Sequence, residues 1–361
     1  MNFRTLDISK YIYNLFQVFT KKQFKGWGRK KTGRFAAWCH KKFGGTLMLQ
    51  EDGFIRSIGL GVDGFPSFSL IEDDIGIYYD ATAPSRLENI LNTYDFQNDV
   101  KLMENARQAI SLIKKHHVSK YNMLGRDQDC FVVPPRNDEK VGCFVVPPRN
   151  DEKVECFVVP PRNDGKMNCF AAFHRHCEQS EAISSNILII AQTEGDASLE
   201  YGMLDSLTTD DMIAAALSEN PNARVFLKMH PDVLSGKKKS DITIENLPKS
   251  VCVITENINP ISLLKHFDKV YTKTSGMGFE ALIVGCECVC FGMPFYAGWG
   301  VTIDKSTCHR RKQKRTVEEI FAAAYILYTR YGNPYTKQEC TIFDVIEEIV
   351  ARRDARYKNC R

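Results

Sequence analysis

Five short apolar runs in the second half of the chain each end in a polar cluster. Run 187–192 leads into Thr193, Glu194, Gly195 and Asp196, and run 224–229 into His230, Pro231 and Asp232. Run 251–255 is followed by Glu256 and Asn257, run 269–272 by Thr274, Ser275 and Gly276, and run 288–291 by the segment GMPFYAGWG at 292–300. A carboxylate such as Asp196 beside a cleft serves as a nucleophile or as a general base in sugar transfer. Thr274-Ser275-Gly276 opens a helical stretch, where hydroxyls and free N–H groups suit a nucleotide phosphate. The same residues also make an ordinary N-cap. His230-Pro231 favours the ligand reading, because an imidazole followed by proline at a strand end is seldom needed for packing. Glu280 lies one turn into the helix, in reach of a ribose hydroxyl or at the edge of the core.

These side chains converge only if the runs are parallel strands with helices between them. Helical patterns at 210–219 (after Thr208-Thr209), 260–266 and 277–284 (closed by Gly285) supply the alternation of a doubly wound sheet. In such a sheet ligands bind at the carboxyl ends of the strands. The first half opens with Ile8, Tyr11, Ile12, Leu15, Val18 and Phe19 at helical spacing. Its basic flank, Lys21, Lys22 and Lys25, accompanies a helix that packs on the core or touches an anionic membrane surface. No clear strand precedes Trp27. Strands are expected at 46–50, 69–72 and 77–79, and helices at 84–94, with Pro84 in the first turn, and at 100–116. Two long helices, 317–331 and 342–357, finish the chain.

Composition narrows the function. With 361 residues and 43% hydrophobic content the chain can fill two domains. A net charge of +4 with only short basic clusters argues against nucleic-acid binding. No apolar run reaches the length of a spanning helix, and no secretory signal is visible at the start, so a cytoplasmic location is expected. Thirteen scattered cysteines suit reduced thiols, and Cys286, Cys288 and Cys290 alternate along one strand as buried ones. Three near-identical 13-residue copies begin at Cys130, Cys143 and Cys156, the first reading CFVVPPRNDEKVG. A central Pro-Pro and so short a period cannot build a repeat fold. Residues 127–185 are therefore expected to form a disordered insertion between a first lobe, 1–126, and a second, 186–361. The even spacing of the repeat cysteines follows from duplication and does not suggest a metal site.

Eight motifs stand out along the chain: Trp27-Gly28-Arg29-Lys30, EDGFIRSIGLG from Glu51, SLIEDDIGIYYDA from Ser69, SKYN from Ser119, QTEGDASLEYG from Gln192, KMHPDV from Lys228, TSGMGFEAL from Thr274 and FGMPFYAGWGVT from Phe291. Together with the stretch 321–331 they resemble the KpsC/LipB capsule polysaccharide biosynthesis family of β-Kdo transferases. The resemblance implies a GT-B-like α/β fold, two Rossmann-like lobes around a cleft. It implies retaining transfer of Kdo from CMP-Kdo to a lipid-linked Kdo acceptor, with no metal and no cofactor. Asp196 would be the nucleophile of a double displacement. His230 and Pro231 would hold CMP, with Thr274, Ser275, Gly276 and Glu280 at its phosphate and ribose. Glu51, Asp52, Arg56, Gln192, Lys228, Tyr296 and Trp299 would line the sugar and acceptor cleft. Arg56 either grips a sugar carboxylate or pairs with Asp52. The implied partners are other capsule biosynthesis and export proteins, with peripheral contact at the inner membrane face. Two departures stand out: Ala191 occupies a position where the family often has Asp, and many relatives carry two such modules. These departures and the repeat leave an alternative open, an inactive or partner-dependent subunit that binds CMP-Kdo or lipid intermediates without turnover. A third reading is a sialyltransferase-like enzyme using another CMP-sugar.

Overall fold

A computed structural model describes residues 12–17, 22–122, 132–133, 144–145, 185–204, 206–230, 233, 236, 238–242, 246–255 and 257–359. The first lobe is built on a mixed sheet. Its edge strand β1 (Gln23–Trp27) pairs in parallel with β2 (Thr46–Asp52), from Gln23↔Thr46 to Trp27↔Gln50. This strand was not expected, and the reason is physical. In QFKGW only Phe24 and Gly26 point inward, too thin an apolar signal for period-two reading. Helix α1 (Lys31–Phe43) follows β1 through a tight turn. Gly28 there has a φ of +37°, and a Cβ on Gly33 would fall on the Gly28 carbonyl.

Strand β3 (Ser69–Asp73) runs antiparallel to β2. The expected strand at 77–79 is instead a turn, because Asp73 Oδ1 accepts the Ile75 and Gly76 N–H groups at 2.8 and 2.9 Å and bends the chain. Ile77 is apolar because it is buried, not because it is extended. Helix α2 (Arg86–Thr93) starts two residues beyond Pro84, capped by the Ser85 hydroxyl at 3.1 Å from Glu88 N–H. Helix α3 (Val100–His116) has the expected bounds, with Asp99 as its N-cap.

The second lobe carries a six-stranded, wholly parallel sheet. In chain order come β4 (Ser185–Ile190), α4 (Thr209–Glu219), β5 (Ala223–Lys228), β6 (Val251–Ile254), α5 (Pro260–Leu264), β7 (Lys269–Thr272), α6 (Met277–Val284), β8 (Glu287–Cys290) and β9 (Ile303–Asp304). Thr208 and Asp211 form a reciprocal capping box at α4, and Gly285 closes α6 in a left-handed conformation, φ +98°. The spatial order is β9-β8-β7-β4-β5-β6. This is the doubly wound order, and its direction of growth reverses between β4 and β7.

The expected helix 317–331 is shorter. Helix α7 (Val317–Phe321) continues as π-helical turns to Leu327, and the chain then extends as β10 (Thr329–Gly332). β10 pairs antiparallel with both β3 and β11 (Glu339–Cys340), closing the first-lobe sheet in the order β1-β2-β3-β10-β11. Residues 329–340, grouped with the second lobe in the sequence, thus belong to the first-lobe sheet. Only its β1–β2 pair is parallel, so this lobe is simpler than a Rossmann unit. Helix α8 (Ile342–Asn359) ends the chain.

One apolar core runs through both lobes, joining Leu49, Ile71 and Phe96 to Phe279, Trp299, Phe321 and Ile346. At its centre Phe54 lies 4.8 Å from both Phe295 and Tyr325, pairs that contribute about 0.5–1.5 kcal/mol each beyond buried area. Arg311, buried, bonds the Pro294 and Ala297 carbonyls at 2.5 and 2.6 Å and meets Glu88 of α2 at 3.3 Å. The insertion expected at 127–185 lies outside the described residues, except that Val132–Val133 pairs antiparallel with Phe144–Val145 and Ser185 opens β4.

Candidate active site

The reversal point of the second-lobe sheet is where the polar residues meet. Gln192 follows β4 and Thr274 follows β7, both buried. Gln192 Oε1 accepts the Thr274 N–H at 2.8 Å, and its Nε2 donates to Thr274 Oγ1 at 3.1 Å and Ser198 Oγ at 3.3 Å. Ser198 and Thr274 hydroxyls lie 2.9 Å apart. This network ties the two strand ends into one rigid edge. Backbone packing there is close. A Cβ on Gly202 would stand 2.2 Å from the Ser198 carbonyl, and one on Gly292 2.7 Å from Thr274 Cγ2. Glycine is required at both.

Beyond that edge the surface is open. Asp196 sits on a turn after Gly195 (φ +77°), its carboxylate exposed, with Oδ1 accepting the Ser198 N–H at 3.0 Å as cap of the one-turn helix Ala197–Glu200. Ser275 is half-buried and Gly276 exposed, and a Cβ on Gly276 would meet nothing within 4 Å. Ser275 Oγ accepts from Met277 N–H at a long 3.3 Å, which keeps the hydroxyl available at the start of α6. The capping and anion readings are therefore both built into one residue. His230 lies half-buried after β5, its carbonyl bonded to Val233 N–H at 3.0 Å. Pro231 lies outside the described residues. Lys228 is buried, with Nζ 2.9 Å from the Met229 carbonyl.

Other expected site residues stand elsewhere. Tyr296 and Trp299, assigned to the cleft surface, are 0% and 1% exposed. Tyr296 donates to the Ser275 carbonyl at 2.6 Å and so props the start of α6 from behind. Trp299 bonds the Phe295 carbonyl at 2.9 Å and packs under Arg311. Glu280 is buried at the seam between lobes, where Ser119 Oγ donates to its Oε1 at 2.5 Å. Burial pushes its carboxyl up to about 7, against the downward pull of the Ser119 hydroxyl and of the Lys120 N–H and charge. Of its two readings, the core-edge one describes this position.

The first lobe faces the edge with a charged group. Arg56 Nε lies 2.9 Å from Asp52 Oδ1, and Arg56 Nη1 bonds Ser57 Oγ at 2.8 Å. The ion-pair alternative is thus in place. Glu51 Oε1 accepts from Trp27 Nε1 at 2.9 Å, and burial raises its pKa against the attraction of Lys120. Two residues of this group carried no assignment in the sequence, Tyr78 and Lys120. Burial raises the Tyr78 phenol; Lys120 opposes the shift, while Glu51, Asp52 and Asp196 reinforce it. Tyr78 is therefore in electrostatic reach of the acids of both lobes. The only sequence signals were the SKYN and GIYYDA motifs around these residues. A backbone bond from Ala81 N–H to the Tyr201 carbonyl (2.9 Å) and the Arg29 guanidinium over the Tyr201 ring (5.8 Å) close one side. Among the described residues no three His, Cys, Asp or Glu side chains converge on a metal position.

Comparison with known proteins shows the family of the chain. The family described as capsule polysaccharide biosynthesis protein matches residues 25–130 and 166–331. The capsule polysaccharide modification protein LipA of Neisseria meningitidis serogroup A is 39% identical over 328 residues, 89% of this chain and 40% of LipA. The lipopolysaccharide-processing protein LpsZ of Rhizobium meliloti is 33% identical over 88% of this chain and 61% of LpsZ. The chain thus spans less than two thirds of each of these curated relatives. Among solved structures, the β-Kdo 2,4 transferase of Thermosulfurimonas dismutans KpsC superposes with a TM-score of 0.69 at 41% identity, over 91% of this chain and 86% of that one. The β-Kdo 2,7 transferase of the same protein gives 0.60 at 26% identity, over 96% and 91%. By the family match and these relatives, the chain belongs to the capsule polysaccharide biosynthesis family.

Proposed function

We propose that the chain is a retaining β-Kdo glycosyltransferase that takes Kdo from CMP-Kdo and adds it to a lipid-linked Kdo acceptor of a capsular polysaccharide. The observation that carries this is the placement of Asp196 beside the Gln192–Thr274–Ser198 network at the sheet's reversal point, in a chain 41% identical to a β-Kdo transferase. The start of α6, with the Ser275 hydroxyl and the Gly276 N–H, receives the CMP phosphate, where the helix dipole and N–H groups offset the charge of the leaving group. His230 lies on the same sheet edge and contributes to CMP binding. Asp196 attacks the anomeric carbon as CMP leaves, forming a glycosyl ester. The acceptor hydroxyl then displaces Asp196 and gives up its proton to water or a cleft carboxylate. Two inversions at one carbon retain configuration.

The higher identity and TM-score with the 2,4 transferase favour a 2,4 linkage. Other capsule assembly proteins are the expected partners, at the inner face of the membrane; no helix of the described residues is long and apolar enough to cross one. The test is incubation of the chain with CMP-Kdo and a synthetic Kdo-lipid, followed by mass spectrometry and NMR linkage analysis. One added Kdo, β-linked through O4, is expected. Binding of CMP-Kdo with no product until a partner protein is added would replace this reading with the partner-dependent subunit. Turnover of CMP-sialic acid in place of CMP-Kdo would replace it with the sialyltransferase-like one.

A further inference from the structure

Several cations around the first-lobe sheet end are committed to carboxylates. Arg29 pairs with Asp80, Arg56 with Asp52 at 2.9 Å, and Arg86 with Asp74 at 3.8 Å. Lys120 differs. Its ammonium has no hydrogen bond and no carboxylate within 4.0 Å among the described residues, and it lies 6.0 Å from the centre of the Tyr121 ring. Arg56 lies at the same 6.0 Å from that ring, so one aromatic ring contacts a neutralised cation and an unpaired one.

The backbone of Lys120 is held from both lobes. Its carbonyl accepts the Arg56 and Ser57 N–H groups at 3.1 and 3.3 Å, and its own N–H bonds the Glu280 carboxyl of α6. Ser119 and Tyr121 on either side are fixed by the Glu280 bond and by a parallel bridge to Ser57. The side chain therefore leaves a rigid base, half-buried beside the Tyr121 ring. Burial works against its charge, but Tyr78, Tyr121, Asp52 and Glu51 outweigh that and raise its pKa, so the ammonium persists at neutral pH. A charged, half-buried group without a partner is costly unless a ligand supplies one.

We propose that Lys120 is the cation that binds the carboxylate of the acceptor's terminal sugar acid and selects for it, the role the sequence left open for Arg56. The proposal rests on the sugar-transfer reading above. The donor's phosphate seat lies on the second lobe at Ser275, whereas Lys120 belongs to the first. Ser119, next to Lys120, bonds Glu280 one turn into α6, and the residues leading into α6 include Thr274, whose hydroxyl meets that of Ser198 beside Asp196, so bonded contacts tie the backbone at Lys120 to the edge that carries the reacting carboxylate.

Binding and transfer are measured separately. The methyl glycoside of Kdo and its carboxamide are titrated into the CMP-saturated protein by NMR or calorimetry, for wild type, Lys120→Met and Lys120→Arg. The wild type is expected to prefer the carboxylate by about 10- to 100-fold, the range of a charge-assisted hydrogen bond. Lys120→Met loses that preference while binding the carboxamide unchanged, and Lys120→Arg restores part of it. In transfer assays Lys120→Met raises the acceptor KM and leaves the CMP-Kdo KM and acceptor-independent CMP-Kdo hydrolysis unaltered. Equal weakening toward both glycosides means a structural role and overturns the proposal. A changed CMP-Kdo KM assigns the ammonium to the donor carboxylate and overturns it too. Absence of turnover in wild type, with Lys120-dependent carboxylate binding intact, would instead remove the transferase reading and leave this site standing.

Discussion

The Asp196 carboxylate is held by one hydrogen bond among the described residues, from Ser198 N–H at 3.0 Å, and is otherwise exposed. Asparagine caps a helix as well as aspartate does, so Asp196→Asn keeps that bond while removing the nucleophile. Transfer is expected to fall by roughly a thousandfold or more, with stability within about 0.5 kcal/mol of wild type. Product quantification by mass spectrometry and a thermal unfolding curve check the two halves of this statement. Residual transfer within tenfold of wild type would remove Asp196 from the chemistry. Residues of this kind were legible in the sequence because they follow strand ends, where a parallel sheet leaves them facing ligand. Tyr296 and Trp299 were not, since aromatics in a glycine-rich segment look alike whether they line a cleft or prop a helix from behind. The surroundings of Lys120 depend on which residues lie across the fold, whereas the i,i+4 spacing of Asp52 and Arg56 hinted at that pair.

Helix α6 serves two parts of the molecule at once: its start lies at the polar edge of the sheet and its fourth residue, Glu280, holds the seam to Ser119 and Lys120. Because burial raises Glu280 to about 7 from an unfolded value near 4.5, the folded state binds its proton more tightly. Below about pH 4.5 the group is protonated in both states and its contribution is complete. Between about 4.5 and 7 the unfolded chain loses the proton first, so stability from this group falls as pH rises, and it levels off above 7. The total is on the order of a few kcal/mol. Glu280→Gln keeps an acceptor for Ser119 and Lys120 without the titration. The variant should gain on wild type in denaturant unfolding as pH goes from 5 to 7.5, and parallel curves over that range would show that folding does not raise the proton affinity of Glu280. Elements such as α3, α6 and β7 had their bounds written in caps and apolar runs. Strand β1 and the strand β10 did not, because QFKGW buries one large side chain and because a π-helical stretch carries helical spacing up to the residue where the strand begins.

At the scale of the whole molecule, the two lobes share one core and the C-terminal strands return to the first sheet, so neither lobe is complete without the other. The doubly wound sheet was legible because each strand ends in polar residues and each helix in a cap; the return of 329–340 to the first lobe was not, since pairing across more than 250 residues leaves no local pattern. Of the three 13-residue copies, the described residues are Val132–Val133 and Phe144–Val145, which pair with each other in a separate two-stranded sheet. The family match runs from 25 to 130 and resumes at 166, leaving out most of the repeat. On its near side Asn122 is buried and bonds the Ser57 and Ser119 carbonyls at 3.0 and 2.8 Å; on its far side Ser185 already pairs with Ala223. The framework is therefore closed before the repeat begins and after it ends, and the residues kept at 123–130 and 166–184 leave ample chain to join the two. Loop-closure entropy changes slowly with length, by about 0.6 kcal/mol per doubling. Deleting residues 131–165 is accordingly expected to leave the unfolding midpoint within a few degrees and the transfer rate within about twofold of the full chain. A loss of transfer with the fold retained would assign the repeat a part in substrate access, and a loss of folding would show that the lobes depend on it.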